Sequence, residues 1–320
     1  MSRVLWGLAL LLLAAAALLL LPWAALRDLW QADRSLAATV LIELRLPRVL
    51  LALVYGATLG VTGAALQALF ANPLASPDIT GGSSGAALGA VLGSYWLGLT
   101  QPLELAACGI LGALLALLLL LIVAGRRADT PTLLLAGLAI SLAAGASTSL
   151  LLALAPSPFA FYDSFDWLMG SLVDRSLPQV ATTAIPAGLA VVLLLARTAA
   201  LDSLALGEDV AASLGFSPGR LRVEVVAASA VAVGACVSVC GAVGFVGLIA
   251  PVFARRLTGG HPGRAMLPAA VIGAALLLGA DLITRLAPIG RSVPLGVITA
   301  VAGTPLFLWI VVRMRWRLAA

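Results

Sequence analysis

The chain has 320 residues, 62% of them hydrophobic and only 10% charged, with a mean hydropathy of +1.12. Soluble domains run at about 45–50% apolar, so this balance excludes an ordinary soluble protein and leaves no polar stretch long enough for a second, water-facing domain. The net charge is +5 and nineteen residues are arginine with no lysine, which excludes a P-loop, whose lysine amine holds nucleotide phosphates.

A bilayer core takes about 20 apolar residues per helix, fewer where a piece is short or re-entrant. The apolar runs predict ten spans, at 4–22, 47–69, 82–99, 104–124, 133–155, 178–198, 223–241, a shorter 245–257, 266–285 and 294–312. The first run follows Arg3 and could be a signal peptide. It exceeds the ~7–15 residues of such a segment and no A-x-A site follows, so it reads as a span. Ten crossings put both termini on one side. Twelve arginines, including Arg126, Arg127, Arg220, Arg222, Arg255 and Arg256, fall on that side and seven on the other. The positive-inside bias then makes the termini cytoplasmic. Arginines confined to short connections are explained by this topology, and nucleic acid is not expected as a partner. The predicted fold class is all-α, a polytopic membrane protein of ten transmembrane helices in one domain over 1–320, with membrane lipid around it.

The second span opens on Arg45-Leu-Pro-Arg48. Pro47 suits a first helical turn, where its missing N–H has no partner to lose. Asn72-Pro73 and Pro77-Asp78 break the chain at the other end. In the GGSSGA turn that follows, Ser83 or Ser84 is expected to cap the third span; a phosphate cradle there would want the lysine that is absent. Gly81, Gly85, Gly89 and Gly93 recur every four residues in the third span, and Gly137, Ser141, Gly145 and Ser149 in the fifth. Such ladders let helix backbones approach closely in lipid. The fifth span adds Ser147 and Thr148, so its polar stripe is a candidate pathway lining. Cys236 and Cys240, one helical turn apart, read as small packing residues. No His, Cys and carboxylate cluster suggests a metal site.

Residues 199–222 form the longest polar break on the inner side. Leu201, Leu204, Leu206, Val210 and Leu214 alternate with Asp202, Glu208 and Asp209, and Gly207 and Gly215 divide the stretch into two short amphipathic helices. A helix lying on lipid wants Arg or Lys on its polar face. This face is acidic until Arg220, which suits a protein partner.

At this point a resemblance becomes specific. The motifs RLPRVL, the GAALQALFANPLASP run at 63–77, the GSSGAALGA run, LLLAG at 133–137, WLMGSL at 167–172, LALGEDVAASLG at 204–215, GFVGLIAP at 244–251 and the VPLGVITAVAGTPLFLW run at 293–309 follow one family's order along nearly the whole chain. The chain resembles the FecCD-type permease subunits of ABC importers, which take up iron-siderophores, haem and vitamin B12. The resemblance implies a type II ABC importer permease in a bacterial inner membrane. It implies a homodimer with a central path, two ATP-binding subunits beneath it and a periplasmic substrate-binding protein above. No cofactor is expected on this chain; ATP and Mg would sit on the partner subunits. By resemblance, Leu206, Gly207, Glu208, Asp209, Ala212, Leu214 and Gly215 would couple to the ATPase. Arg45, Arg48 and Arg285 would dock the binding protein. Thr130, with Thr132, Ser141, Ser147 and Thr148, would belong to the gate and pathway. One departure is Val252, where the family usually has His after the matching proline.

Two other classes compete. A secondary transporter of a small solute needs ionisable groups at mid-membrane, and only Asp281, one turn before Arg285, stands near a span interior. A membrane protease would need the single histidine, His261, within the bilayer, and it lies in the polar GGHPGR loop.

Overall fold

The computed structural model describes residues 23–125, 130–155, 167–286 and 293–318, with Gly7, Leu10, Leu11, Ala14–Ala16, Leu19 and Leu21 from the first predicted span. The described residues are helical or connecting, with no strand among them. The connection after the first run holds two short helices, α1 (Trp23–Ala32) and α2 (Arg34–Thr39). Asp33 caps α2 by accepting the N–H groups of Ser35 and Leu36 at 2.8 and 3.1 Å. A π-helical turn, Val40–Arg45, leads into α3 (Leu46–Leu69), which starts on Pro47 as expected and stops where Ala71 turns left-handed before Asn72-Pro73.

The remaining helices are α4 (Gly82–Val91, prolonged by a π-turn to Trp96), α5 (Pro102–Ala124), α6 (Thr130–Ala153) and α7 (Leu177–Ala196). They continue with α8 (Thr198–Leu204), α9 (Glu208–Ser213), α10 (Pro218–Cys240), α11 (Val246–Leu257), α12 (Met266–Arg285) and α13 (Leu295–Leu318). Nine of the ten predicted spans thus coincide with helices; most of the first, 4–22, lies outside the described residues. Among the described residues, six helical stretches are long and apolar enough to cross a membrane. The others fall short for physical reasons. At about 1.5 Å per residue, the twelve residues of α11 rise only about 18 Å against a core of about 30 Å. In α4 the α-helix yields to a π-turn after ten residues, and the apolar part of α13 ends at Ile310.

One expectation is corrected. Neither Ser83 nor Ser84 caps α4: Gly81, at φ +87°, occupies the N-cap position in a left-handed conformation that favours glycine. The Ser83 hydroxyl instead donates to Asp78 Oδ1 at 2.6 Å.

α3 and α10 form the centre, each 78% buried across its apolar window, whereas α6 is 22% buried. α12 and α11 pack on α3, while α4, α5 and α7 pack on α10. α6 touches α4 and α5, and α13 touches α11 and α12. Both leave leucines and valines exposed, among them Leu135, Leu142, Leu150, Val301 and Leu308. The third-span glycine ladder packs as predicted, with Gly85 and Gly89 against Gly112 and Cys108 of α5.

The central packing relies on missing side chains. A Cβ on Gly60 would overlap the Ala269 carbonyl of α12, and one on Gly63 the Gly247 carbonyl of α11. Backbone cannot yield as a flexible side chain does. Gly60→Leu is therefore expected to cost more than the ~1–3 kcal/mol of an ordinary overpacked core and to abolish the monodisperse peak in detergent gel filtration. A wild-type elution profile would contradict this packing.

Candidate functional site

The candidate functional features lie at opposite ends of the helices, with a junction between. At one end, the break between α7 and α10 folds into α8 and α9, separated at Gly207 (φ +108°) and closed at Gly215 (φ +86°), the two glycines that divide the stretch in the sequence. Leu206, Gly207, Glu208, Asp209, Ala212, Leu214 and Gly215 are all exposed and share one surface. Glu208 and Asp209 occupy the first turn of α9, where carboxylates oppose the positive end of the helix dipole. The segment is also tied down. Glu208 Oε1 accepts from Arg222 Nη2 of α10 at 2.9 Å. Glu224, one half-turn on, lies 2.8 Å from both Arg197 and Arg220.

Asp202 of α8 fixes the neighbouring loop by accepting the Gly263 N–H at 2.7 Å, with Arg264 at 3.8 Å. Gly263 sits so close to the Thr198 carbonyl that no side chain fits. Between α8–α9 and loop 259–264 lies an open cavity of about 840 Å³, walled by Leu206, Leu214, Phe216 and His261. His261 therefore stands in a polar surface loop, as its sequence context implies.

The junction centres on Asp78, in the connection between α3 and α4. Its carboxylate takes the Ser83 hydroxyl and the backbone N–H of Phe245, and its carbonyl accepts the Ser141 hydroxyl of α6 at 3.0 Å. Phe245 precedes α11 at φ +67°, a rare conformation for an aromatic residue. Its ring meets Phe307 of α13 edge-on at 6.4 Å. Asp78 thus links α4 and the strained start of α11 through its carboxylate, and α6 through its carbonyl.

The predicted gate and pathway residues separate on α6. Thr130 opens the helix, but its side chain lies outside the described residues, as does Asp129 of the same turn. Thr132 is exposed, Ser141 is held by Asp78, and Thr148 is buried. Ser147 and Thr148 turn their hydroxyls back to the carbonyls of Ala143 and Ala144. Gly145 meets nothing within 4 Å, so the upper half of this ladder faces open space.

At the other end, Asp281 is 1% exposed and shared by two arginines. Arg48 Nε reaches Oδ1 at 2.7 Å and Arg285 Nε reaches Oδ2 at 2.8 Å, while Arg48 Nη2 donates to the Thr284 hydroxyl at 2.7 Å. Arg45 lies apart, donating to the Leu19 carbonyl at 3.1 Å. Of the three predicted docking arginines, two are therefore held by one buried carboxylate. The sequence shows the Asp281–Arg285 pair by its spacing but gives no sign of Arg48, 233 residues away.

A sequence model of the FecCD transport family matches residues 4–313. The chain belongs to the FecCD transport family. Two family relatives are similar over most of their length. The vitamin B12 import system permease protein BtuC of Vibrio cholerae is 41% identical over 303 residues, covering 89% of this chain and 88% of that protein. The Fe(3+) dicitrate transport system permease protein FecD of Escherichia coli K12 is 36% identical over 296 residues, covering 92% and 91%. Among solved structures, an ABC transporter assigned to the metal-chelate type, in an inward-facing conformation, superposes with a TM-score of 0.84 at 30% identity. The match covers 98% of this chain and all of that one. The family assignment makes the chain a multi-pass membrane permease of the ABC type.

Proposed function

We propose that the chain is the permease subunit of an ABC importer that carries an iron chelate or cobalamin across the bacterial inner membrane. Separate ATP-binding subunits, with their Mg, supply the energy, and a periplasmic binding protein delivers the solute. The observation that carries this reading is the family match over residues 4–313, with relatives named for both cargoes. The chain would cross the bilayer ten times as one domain with both termini cytoplasmic. The first span, and α4, α11 and α13, would supply the four crossings beyond the six long stretches. The thinly covered helices α6 and α13 support a homodimer, since their exposed apolar faces are what a second copy or lipid would cover.

Within that frame, residues 199–222 are the cytoplasmic coupling segment, and the surface of Leu206–Gly215 seats on the ATPase. Ties through Glu208–Arg222 and Asp202–Gly263 carry its motion into α10 and α12. Thr130 and Thr132 sit at the inner gate, and Ser141, Ser147 and Thr148 lie along the path. A secondary transporter gains no support: Asp281, the acid on which it would rest, is clamped between Arg48 and Arg285 and is poorly placed to bind a coupling ion.

Deleting the chain from its native cell should abolish uptake of either labelled cobalamin or a labelled ferric chelate. Undiminished uptake of all of these would sink the proposal. Docking is best tested at Arg45, because reversing Arg48 would also set a carboxylate against Asp281. Arg45→Glu should weaken capture of the binding protein in a salt-sensitive manner, as charge pairs chiefly steer association; equal affinity at low salt would remove Arg45 from the interface.

A further inference from the structure

Arg48 is gripped along one edge of its guanidinium. Its Nε donates to Asp281 Oδ1 and its Nη2 to the Thr284 hydroxyl, both at 2.7 Å. These two nitrogens form the side edge of a planar fork whose five N–H groups have fixed directions. The end of the fork, at Nη1, is left for a further acceptor and matches a carboxylate in two parallel bonds. Among the described residues Arg48 forms an ion pair with Asp281 alone, and 19% of its side chain stays exposed, so a partner can still reach it. It also lines a cavity of about 510 Å³ at the end far from residues 199–222.

The grip is itself held in place. Thr284 gives its hydroxyl proton to the Asp281 carbonyl at 2.7 Å, so its oxygen can meet Arg48 only with a lone pair. Asp281 is 1% exposed, and its other oxygen takes Arg285 Nε at 2.8 Å. Two residues three apart on α12 thus set where a guanidinium of α3 points. Arg45 is held more loosely, by a single bond among the described residues, to the Leu19 carbonyl. A long side chain that binding must immobilise costs about threefold to tenfold in affinity. One that is already oriented is spared most of that loss.

We propose that Thr284 and Asp281 are positioning residues for docking: they hold Arg48 by its side edge so that the end of its fork meets an acidic side chain of the binding protein. The inference rests on the docking reading above and deepens it, because both residues act through Arg48.

Thr284 is the better residue to vary, since losing Asp281 also unsettles the fold. The test uses the full permease with its ATP-binding subunits in lipid nanodiscs, and the probe is the purified substrate-binding protein of the same uptake system. Thr284→Val should speed release of that protein about threefold to tenfold. The association rate, its salt dependence and the melting midpoint should stay near wild type, because every steering charge is still present. Thr284→Ser, which keeps the hydroxyl, should release like wild type. In an Arg48→Gln background Thr284→Val should add nothing further, as expected of residues that act as one unit. Thr284→Ala carries the same expectations where valine is not tolerated.

Wild-type release by the valine and alanine variants would overturn the proposal. So would fast release by Thr284→Ser, or an undiminished Thr284→Val effect in the Arg48→Gln background. Docking that persists without any effect at Thr284 removes only the positioning role. Absence of docking on the wild-type complex removes the docking reading, and this inference with it.

Discussion

Asp281→Leu is expected to cost about 3–5 kcal/mol, the scale on which removing one partner of a buried ion pair destabilises a protein. The carboxylate is nearly inaccessible, and its two oxygens each hold a different guanidinium. Without it, Arg48 and Arg285 would stand close together with no anion between them, on the ends of two helices that otherwise share the most extensive helix packing among the described residues. At roughly 2–4 °C per kcal/mol for a protein of this size class, the unfolding midpoint in detergent should fall by on the order of 10 °C. The triple change Asp281→Leu, Arg48→Met and Arg285→Met should recover most of the loss, because apolar replacement of a whole buried charge group is often neutral or stabilising. An unchanged midpoint for the single variant would mean that the two arginines do not depend on Asp281.

Glu208→Arg should behave in the opposite way, leaving stability nearly untouched and transport lost. Glu208 is 65% exposed, and its pair with Arg222 is a surface ion pair of the kind worth ~0–1 kcal/mol. Insertion and the melting profile should therefore stay near wild type. The substituted side chain sets two like charges against each other at the Glu208–Arg222 tie between α9 and α10, and reverses the charge that the proposed ATPase contact would meet. Uptake should fall while the partner subunits go on hydrolysing ATP. Adding Arg222→Glu restores the pair with its charges exchanged, so partial recovery would assign the defect to the tie and none would assign it to the ATPase contact. Wild-type uptake in Glu208→Arg would refute the coupling role.

The sequence was most informative where one local rule acts. Apolar runs marked the helices because lipid and core alike demand them, and Gly207 and Gly215 located α8 and α9 because a left-handed turn favours glycine. Long-range pairing was not legible. Nothing near Arg48 indicates that Asp281 will meet it, and nothing near Asp78 indicates that it will join Phe245 and Ser141. The misplaced cap at Ser83 shows the same limit. Serine is a good local cap, but a glycine two positions earlier and the demand of Asp78, five residues back, decided otherwise.

The grip of Asp202 on Gly263 has a mechanical meaning. With the Gly263 backbone flush against the Thr198 carbonyl, α8 and the loop leading into α12 are held against each other. If residues 199–222 are the coupling segment proposed above, a thrust delivered there would be divided, part travelling up α10 and part up α12 toward the arginine clamp at the far end. One stroke of the motor would reach the doorway on the opposite side by two parallel rods.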